Sequence, residues 1–305
     1  EGPAQGWGHL TVVGGFVAGT ALLVGFVVWE LRAAHPMLDP RLFRIRRFGV
    51  SSATITMIFF TSFGMFFSIT QYLQYVKGYT PLTAGLAILP FAGTMVLVAP
   101  RGPMVAGRIG VRRTMAAGMT FLAFGALGLA LVGPRTPYIA AAASVMLMAL
   151  GSGLAMPSAT ASIMTSLPMA KAGVGSAVND TTREVGGAVG IAVIGSVMAS
   201  IYRSSVSDAI ATLPPGLAER ARDSVGAAVS AAGQAFTDPG QRATYLADIR
   251  DGFTTGMNAG MLAGAVMAFL GIGVVLRWYP RDGTLGEQAA AAEGRRPASA
   301  GPEAG

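Results

Sequence analysis

Cysteine is absent from this chain of 305 residues, which excludes disulfides and thiolate metal sites. The two histidines, His9 and His35, stand too far apart to suggest an imidazole cluster. Lysine is scarce as well: neither Lys77 nor Lys171 follows a glycine, so no phosphate-cradling P-loop is present. There is no Ser/His/Asp set, zinc-ligand spacing or carboxylate pair in a polar loop, so the chain is expected to be no enzyme and to need no cofactor or metal. Charge is thin, at 12% of residues. What fills the space is apolar: 52% of residues are hydrophobic and the mean hydropathy is +0.55.

That apolar content is not spread evenly. It gathers into seven runs, Leu10–Leu31, Phe48–Thr70, Leu82–Pro100, Thr114–Val132, Tyr138–Met156, Gly175–Ile201 and Phe253–Leu276. Each reaches or nears the ~20 residues that a helix needs to cross ~30 Å of hydrocarbon. The expected fold class is therefore an all-α polytopic membrane protein with seven transmembrane helices. Arginines sort by loop. Arg32, Arg41, Arg44, Arg46 and Arg47 follow the first run, Arg101, Arg108, Arg112 and Arg113 the third, and Arg277, Arg281, Arg295 and Arg296 the last. By the positive-inside rule these loops and the C-terminus are expected in the cytoplasm, with Glu1 outside and the membrane a cell (plasma) membrane. The net charge of +7 sits beside the membrane rather than on one soluble face, so nucleic acid is not an expected partner. The lipid bilayer is.

Three stretches fall outside the runs. Residues 35–47, with Pro36 and Pro40 as breakers, suit a basic linker along the interface. Residues 202–252 form a long external loop in which Leu217, Ala221, Val225, Ala228 and Ala232 recur at helical spacing, so one or two amphipathic helices are expected there. Residues 282–305 are rich in Ala, Gly, Glu and Pro and should be disordered. The resulting division is 1–47 as a first helix and linker, 48–281 as a six-helix bundle and 282–305 as a tail. The opening Glu1, Gly2 and Pro3, without an initiating Met, reads as part of a longer polypeptide.

Ionisable residues inside an apolar run call for explanation, because each costs ~3 kcal/mol at a helix centre. The sixth run opens with Asn179, Asp180, Arg183 and Glu184, spaced three and four apart. Two acids thus share a face with one arginine, an arrangement suited to proton coupling or to gating. They are expected to face protein or a wet cavity and to pair. Phe63, Phe67 and Gln71 of the second run, with Met146 and Met156, are candidates for lining an adaptable apolar substrate cavity. Small-residue stripes at Gly186 and Gly190, and at Gly256, Gly260 and Gly264, suit close helix packing. Pro90 and Pro157 predict kinks or breaks.

Several stretches together resemble the fourteen-helix drug:proton antiporter family of the major facilitator superfamily, in its C-terminal half. Gly6 and Trp7, followed by a helix and then His35, Pro36, Asp39, Pro40 and Arg41, look like the inserted helix and its link to the second bundle. Tyr72, Gln74, Gly78, Pro81, Gly85 and Pro90 are similar to its helix-hairpin signature. Asn179, Arg183, Gly186 and Gly187 match an Asn-x-x-x-Arg-x-x-Gly-Gly element. Gly102, Arg108, Gly110, Arg112 and Arg113 look like a degenerate copy of the superfamily's cytoplasmic loop motif, with Gly107 where an acid usually precedes the arginine. The resemblance implies alternating access, with proton entry driving export of a small amphipathic substrate. It also implies a partner, the N-terminal transporter half, which carries the family's main proton-coupling acid. Alternatives are a major facilitator exporter of lipid or metabolite, or a membrane scaffold half that does not transport.

Overall fold

A segment in hydrocarbon must satisfy its own backbone hydrogen bonds, and every regular element among the described residues is helical. The structure, a computed structural model, describes residues 8–33 and 39–281; the expected tail at 282–305 and residues 35–38 of the expected linker lie outside them. In chain order the helices are α1 (Leu10–Arg32), α2 (Arg46–Gln71, prolonged by a π turn at Tyr72–Val76), α3 (Pro81–Val98) and α4 (Gly102–Ile109). Then come α5 (Val111–Leu129), α6 (Tyr138–Thr165), α7 (Ala172–Ser205), α8 (Ser207–Ala211), α9 (Pro215–Asp223), α10 (Val225–Ala235) and α11 (Pro239–Trp278).

Six of these are long and apolar enough to cross a membrane: α1, α2, α3 with its continuation α4, α6, α7 and α11. The seventh expected span, Thr114–Val132, is the 19-residue helix α5, which falls short of that standard. Arg112, Arg113 and Thr114 open α5, and small residues dilute the rest. Its burial comes from protein instead, since α5 lies between α6 and α11 with Met115, Met119, Leu122 and Leu129 fully enclosed. Of the kinks or breaks expected at Pro90 and Pro157, no break occurs, because α3 and α6 run through both.

Helix starts are set by local chemistry. Thr80 caps α3, its hydroxyl accepting from Thr83 N at 3.2 Å, with Pro81 next to it where no backbone donor is needed. Asp238 and Pro239 do the same for α11, the carboxylate accepting from Gln241 N at 2.8 Å. That cap starts α11 fourteen residues before the expected Phe253. At 40 residues α11 is ~60 Å long, about twice the hydrocarbon thickness.

The early part of α11 belongs to a compact lobe outside the bundle. The expected amphipathic helices are α9 and α10, broken at Ser224, and Ala221, Val225, Ala228 and Ala232 are buried as their spacing requires. Tyr202 at the end of α7 donates to Ala221 O at 3.1 Å, and Tyr245 of α11 donates to Ala228 O at 3.2 Å. The lobe is thus anchored to two long helices. Lys77 joins two shorter loops, its ammonium donating to Pro134 O and Thr136 O; partial burial lowers its pKa.

Within the bundle, α2 packs along α7, α5 along α6, and α11 against α2, α5 and α7. The glycine stripes lie at these seams. A Cβ on Gly186 would collide with the Thr56 backbone, and one on Gly190 with that of Phe60, so α2 and α7 touch main chain to main chain. A Cβ on Gly256 would come within 2.6 Å of Met198 O, and Gly260 stands as close to Met198 and Ile194. Gly264 is nearest Thr61, whose hydroxyl donates to Gly264 O at 3.2 Å. The α5–α6 seam has a pair that the stripe reading passed over: Gly118 and Gly151, each pressed on the other's carbonyl. The helix α1 is different, with almost every side chain exposed.

Gly190→Ala should therefore destabilise the purified protein by about 1–3 kcal/mol despite alanine's better helix propensity, because backbone cannot yield as a side chain can. Gly85→Ala, where a Cβ meets nothing within 4 Å, should leave stability unchanged or slightly raised. Thermal unfolding in detergent checks both, and equal melting temperatures for the two variants would contradict the seam.

Candidate functional site

The polar cluster of α7 is built by three helices. Asn179 is buried, its Oδ1 accepting from Thr160 of α6 at 2.9 Å, while its Nδ2 donates to Asp180 Oδ1 at 3.3 Å. Asp180 in turn stands 4.0 Å from the Arg183 guanidinium. Arg183 lies over the ring of Phe59 from α2, 5.1 Å from its centroid, and reaches Met156 Sδ of α6 at 3.5 Å. The contact with the ring is a cation–π interaction, strengthened where water is scarce. Arg183 Nε is buried without a hydrogen-bond partner. The arginine is thus held by aromatic and thioether surface more than by its acid.

The expectation that both acids would be enclosed and paired is met only in part. The Asp180 side chain is 67% exposed, and Glu184 is exposed and takes no part in the Arg183 contacts. Both lie on a face of α7 that this chain leaves open, continued by exposed Ala188 and Ile191. Four-residue spacing puts the two acids side by side but cannot say which flank of the helix the protein covers.

Beside that face runs an aromatic rail. Phe59, Phe63 and Phe67 recur at helical spacing on α2, with Phe59 and Phe63 ring centroids 5.7 Å apart. Gly187 makes room for the Phe63 ring and Gly195 for Phe67: a Cβ would stand 2.9 Å and 3.4 Å from them. Phe60 is buried, and Phe66 turns away to meet Phe91 of α3 edge-on at 4.9 Å. The rail ends at a cavity of about 130 Å³ where Phe67, Gln71, Met198 and Tyr202 meet Asp223 and Val225 of the lobe.

The candidate cavity residues therefore divide. Phe67 and Gln71 line one cavity, Phe63 stands along the rail and Met156 joins Arg183. Met146 is 44% exposed on α6, ten residues from Met156, and does not line the cavity of Phe67 and Gln71. The residues missed by sequence reasoning are Tyr202 and Asp223, which only the folding of the lobe brings to Phe67.

In the loop motif, Gly102 is buried with the Gly153 and Leu154 carbonyls where a side chain would stand. Gly110 takes φ +89°, the left-handed region, and ends α4 so that α5 can begin at Val111. Arg112 donates to Leu276 O at the end of α11, while Arg108 and Arg113 are exposed.

Comparison with known proteins places this geometry. The family model described as Major Facilitator Superfamily matches residues 5–191. "Multidrug resistance protein Stp" of Mycobacterium tuberculosis is 32% identical over 291 residues, which cover 92% of this chain and 53% of that protein. "Multidrug efflux pump LfrA" of Mycolicibacterium smegmatis is 34% identical over 253 residues, covering 81% of this chain and 49% of that protein. "Tetracenomycin C resistance and export protein" of Streptomyces glaucescens is 30% identical over 280 residues, covering 90% and 52%. The chain spans about half the length of these curated relatives. With the family model covering more than half of an all-helical, membrane-crossing chain, this protein belongs to the major facilitator superfamily.

Proposed function

We propose that this chain is one half of a proton-coupled exporter of amphipathic compounds, working by alternating access with an N-terminal bundle. The observation that carries the reading is the open face of α7 and α2. Two acids lie exposed there beside Phe63 and Phe67 of the rail, although each ionised group facing lipid costs ~3 kcal/mol at a helix centre. A second bundle closing over that face would turn it into a cleft, polar at Asp180 and Glu184 and apolar along Phe59, Phe63 and Phe67. Such a cleft suits an amphipathic, often cationic, cargo. The printed names of the multidrug-resistance relatives support the same class of cargo.

In this reading residues 1–47 are an inserted helix with its linker, and 48–281 are the C-terminal bundle. The arginine-rich helix ends face the cytoplasm and the lobe of α8–α10 faces outside. Coupling requires a group whose proton affinity differs between the two access states. Asp180 and Glu184 hold that role here, and Arg183 positions Asp180. When a proton neutralises an acid, its hold on Arg183 and on a cationic cargo weakens together, so proton entry favours release.

The test uses the full-length exporter in liposomes with an imposed pH gradient and ethidium as cargo. Asp180→Asn combined with Glu184→Gln should slow gradient-driven export at least tenfold and make ethidium binding weaker and independent of pH. Export at the wild-type rate would remove proton coupling from these residues. Arg183→Ala should be worse than either single neutralisation, since it strips the cation from Phe59 and leaves Asp180 without its counter-charge. Phe67→Ala with Gln71→Ala should raise the KM for ethidium several-fold with little change in kcat, if the cavity they line receives cargo.

A further inference from the structure

A second hollow, of about 440 Å³, lies at the opposite end of the bundle from the lobe. Four arginines line it: Arg46 from the start of α2, Arg112 from the start of α5, and Arg277 and Arg281 from the end of α11. No acid is among its lining residues, and among the described residues none of the four makes an ion pair. Arg112 is partly committed, donating to Leu276 O, yet its Nε is buried without a partner. Scattered arginines at helix ends would satisfy the positive-inside rule equally well. Here three segments distant in sequence bring theirs to one concavity, where like charges repel until an anion joins them.

We propose that this hollow binds the phosphate headgroup of an anionic phospholipid. Guanidinium forks match phosphate oxygens two at a time, which sets the headgroup chemistry. The lipid source follows from what adjoins the arginines. Trp278 is 52% exposed at the rim, the placement of an interfacial aromatic. From Leu276, which also lines the hollow, an exposed apolar stripe runs back along α11 through Phe269 and Val266, joined by Phe124 of α5, whose ring meets Phe269 edge-on at 5.7 Å. A charged basin at the head of an apolar track has the shape of a phospholipid. Free phosphate would use only the basin.

The experiment titrates the full-length protein, delipidated in neutral detergent, with dioctanoyl phosphatidylglycerol, dioctanoyl phosphatidylcholine or inorganic phosphate, reading bound lipid by native mass spectrometry. Phosphatidylglycerol should bind at least tenfold tighter than phosphatidylcholine, and millimolar phosphate should not displace it. Arg46→Gln, Arg277→Gln and Arg281→Gln together should abolish that preference. Because removing topogenic charge can spoil insertion, the corresponding triple lysine variant is the second arm: it keeps the charge and loses the forks, and should bind phosphatidylglycerol several-fold more weakly. Equal binding of the two lipids overturns the proposal, as does lysine performing like arginine, which would reduce the basin to diffuse charge. Full displacement by phosphate would assign the hollow to a free anion and overturn the lipid assignment.

Discussion

Hydrocarbon gives apolar helices no reason to leave lipid for one another, so the bundle depends on how closely its helices can approach. At Gly186 and Gly190 the surfaces of α2 and α7 meet at main-chain distance, and Gly256 does the same for α7 and α11, with Gly260 seated on the Met198 and Ile194 side chains. Dispersion falls off steeply with separation, and only a residue without a side chain lets whole peptide groups contribute. The same seams set the site. With α2 locked onto α7, Phe59 is delivered over Arg183, and Gly187 and Gly195 leave the shallow beds in which Phe63 and Phe67 lie. Packing and chemistry are therefore two uses of one set of glycines.

The α7 cluster also shows how a cation is kept in an apolar setting. Arg183 has a long contact to one exposed acid, an aromatic face and a sulfur atom, while Asn179 is tied to α6 through Thr160. Only part of the cluster is fixed by this chain. Asn179 is anchored, whereas Asp180 and Glu184 stand on the open side and answer to whatever covers it. Under the proposed coupling, a rigid root carrying responsive tips is what a group that must differ between two states requires.

Much of this was legible in the sequence because hydropathy and charge act over whole segments. The apolar runs located the helices, and the spacing of Ala221, Val225, Ala228 and Ala232 located the buried stripe of the lobe. What escaped was decided by single contacts between distant segments. A break at Pro157 was one of two outcomes expected, yet α6 continues through it to Thr165. The last span was expected from Phe253, but Asp238 caps Pro239 and Gly240 into a helix start far ahead of it. The seven-residue spacing of Gly118 and Gly125 was the available sign of the α5–α6 seam, in a helix whose opening arginines mask its apolar content. Tyr202 and Asp223 reach Phe67 only after α9 folds back, which no local pattern encodes.

The lobe is not hung on loops. It grows from α7, which runs unbroken to Ser205, and from α11, which passes from Pro239 through the bundle to Trp278. A cap on flexible tethers swings as a lid and leaves its base behind. A cap that shares continuous backbone hydrogen bonds with two spanning rods can tilt only as they tilt, so lobe and arginine-rich end must travel as the two ends of a single stiff beam.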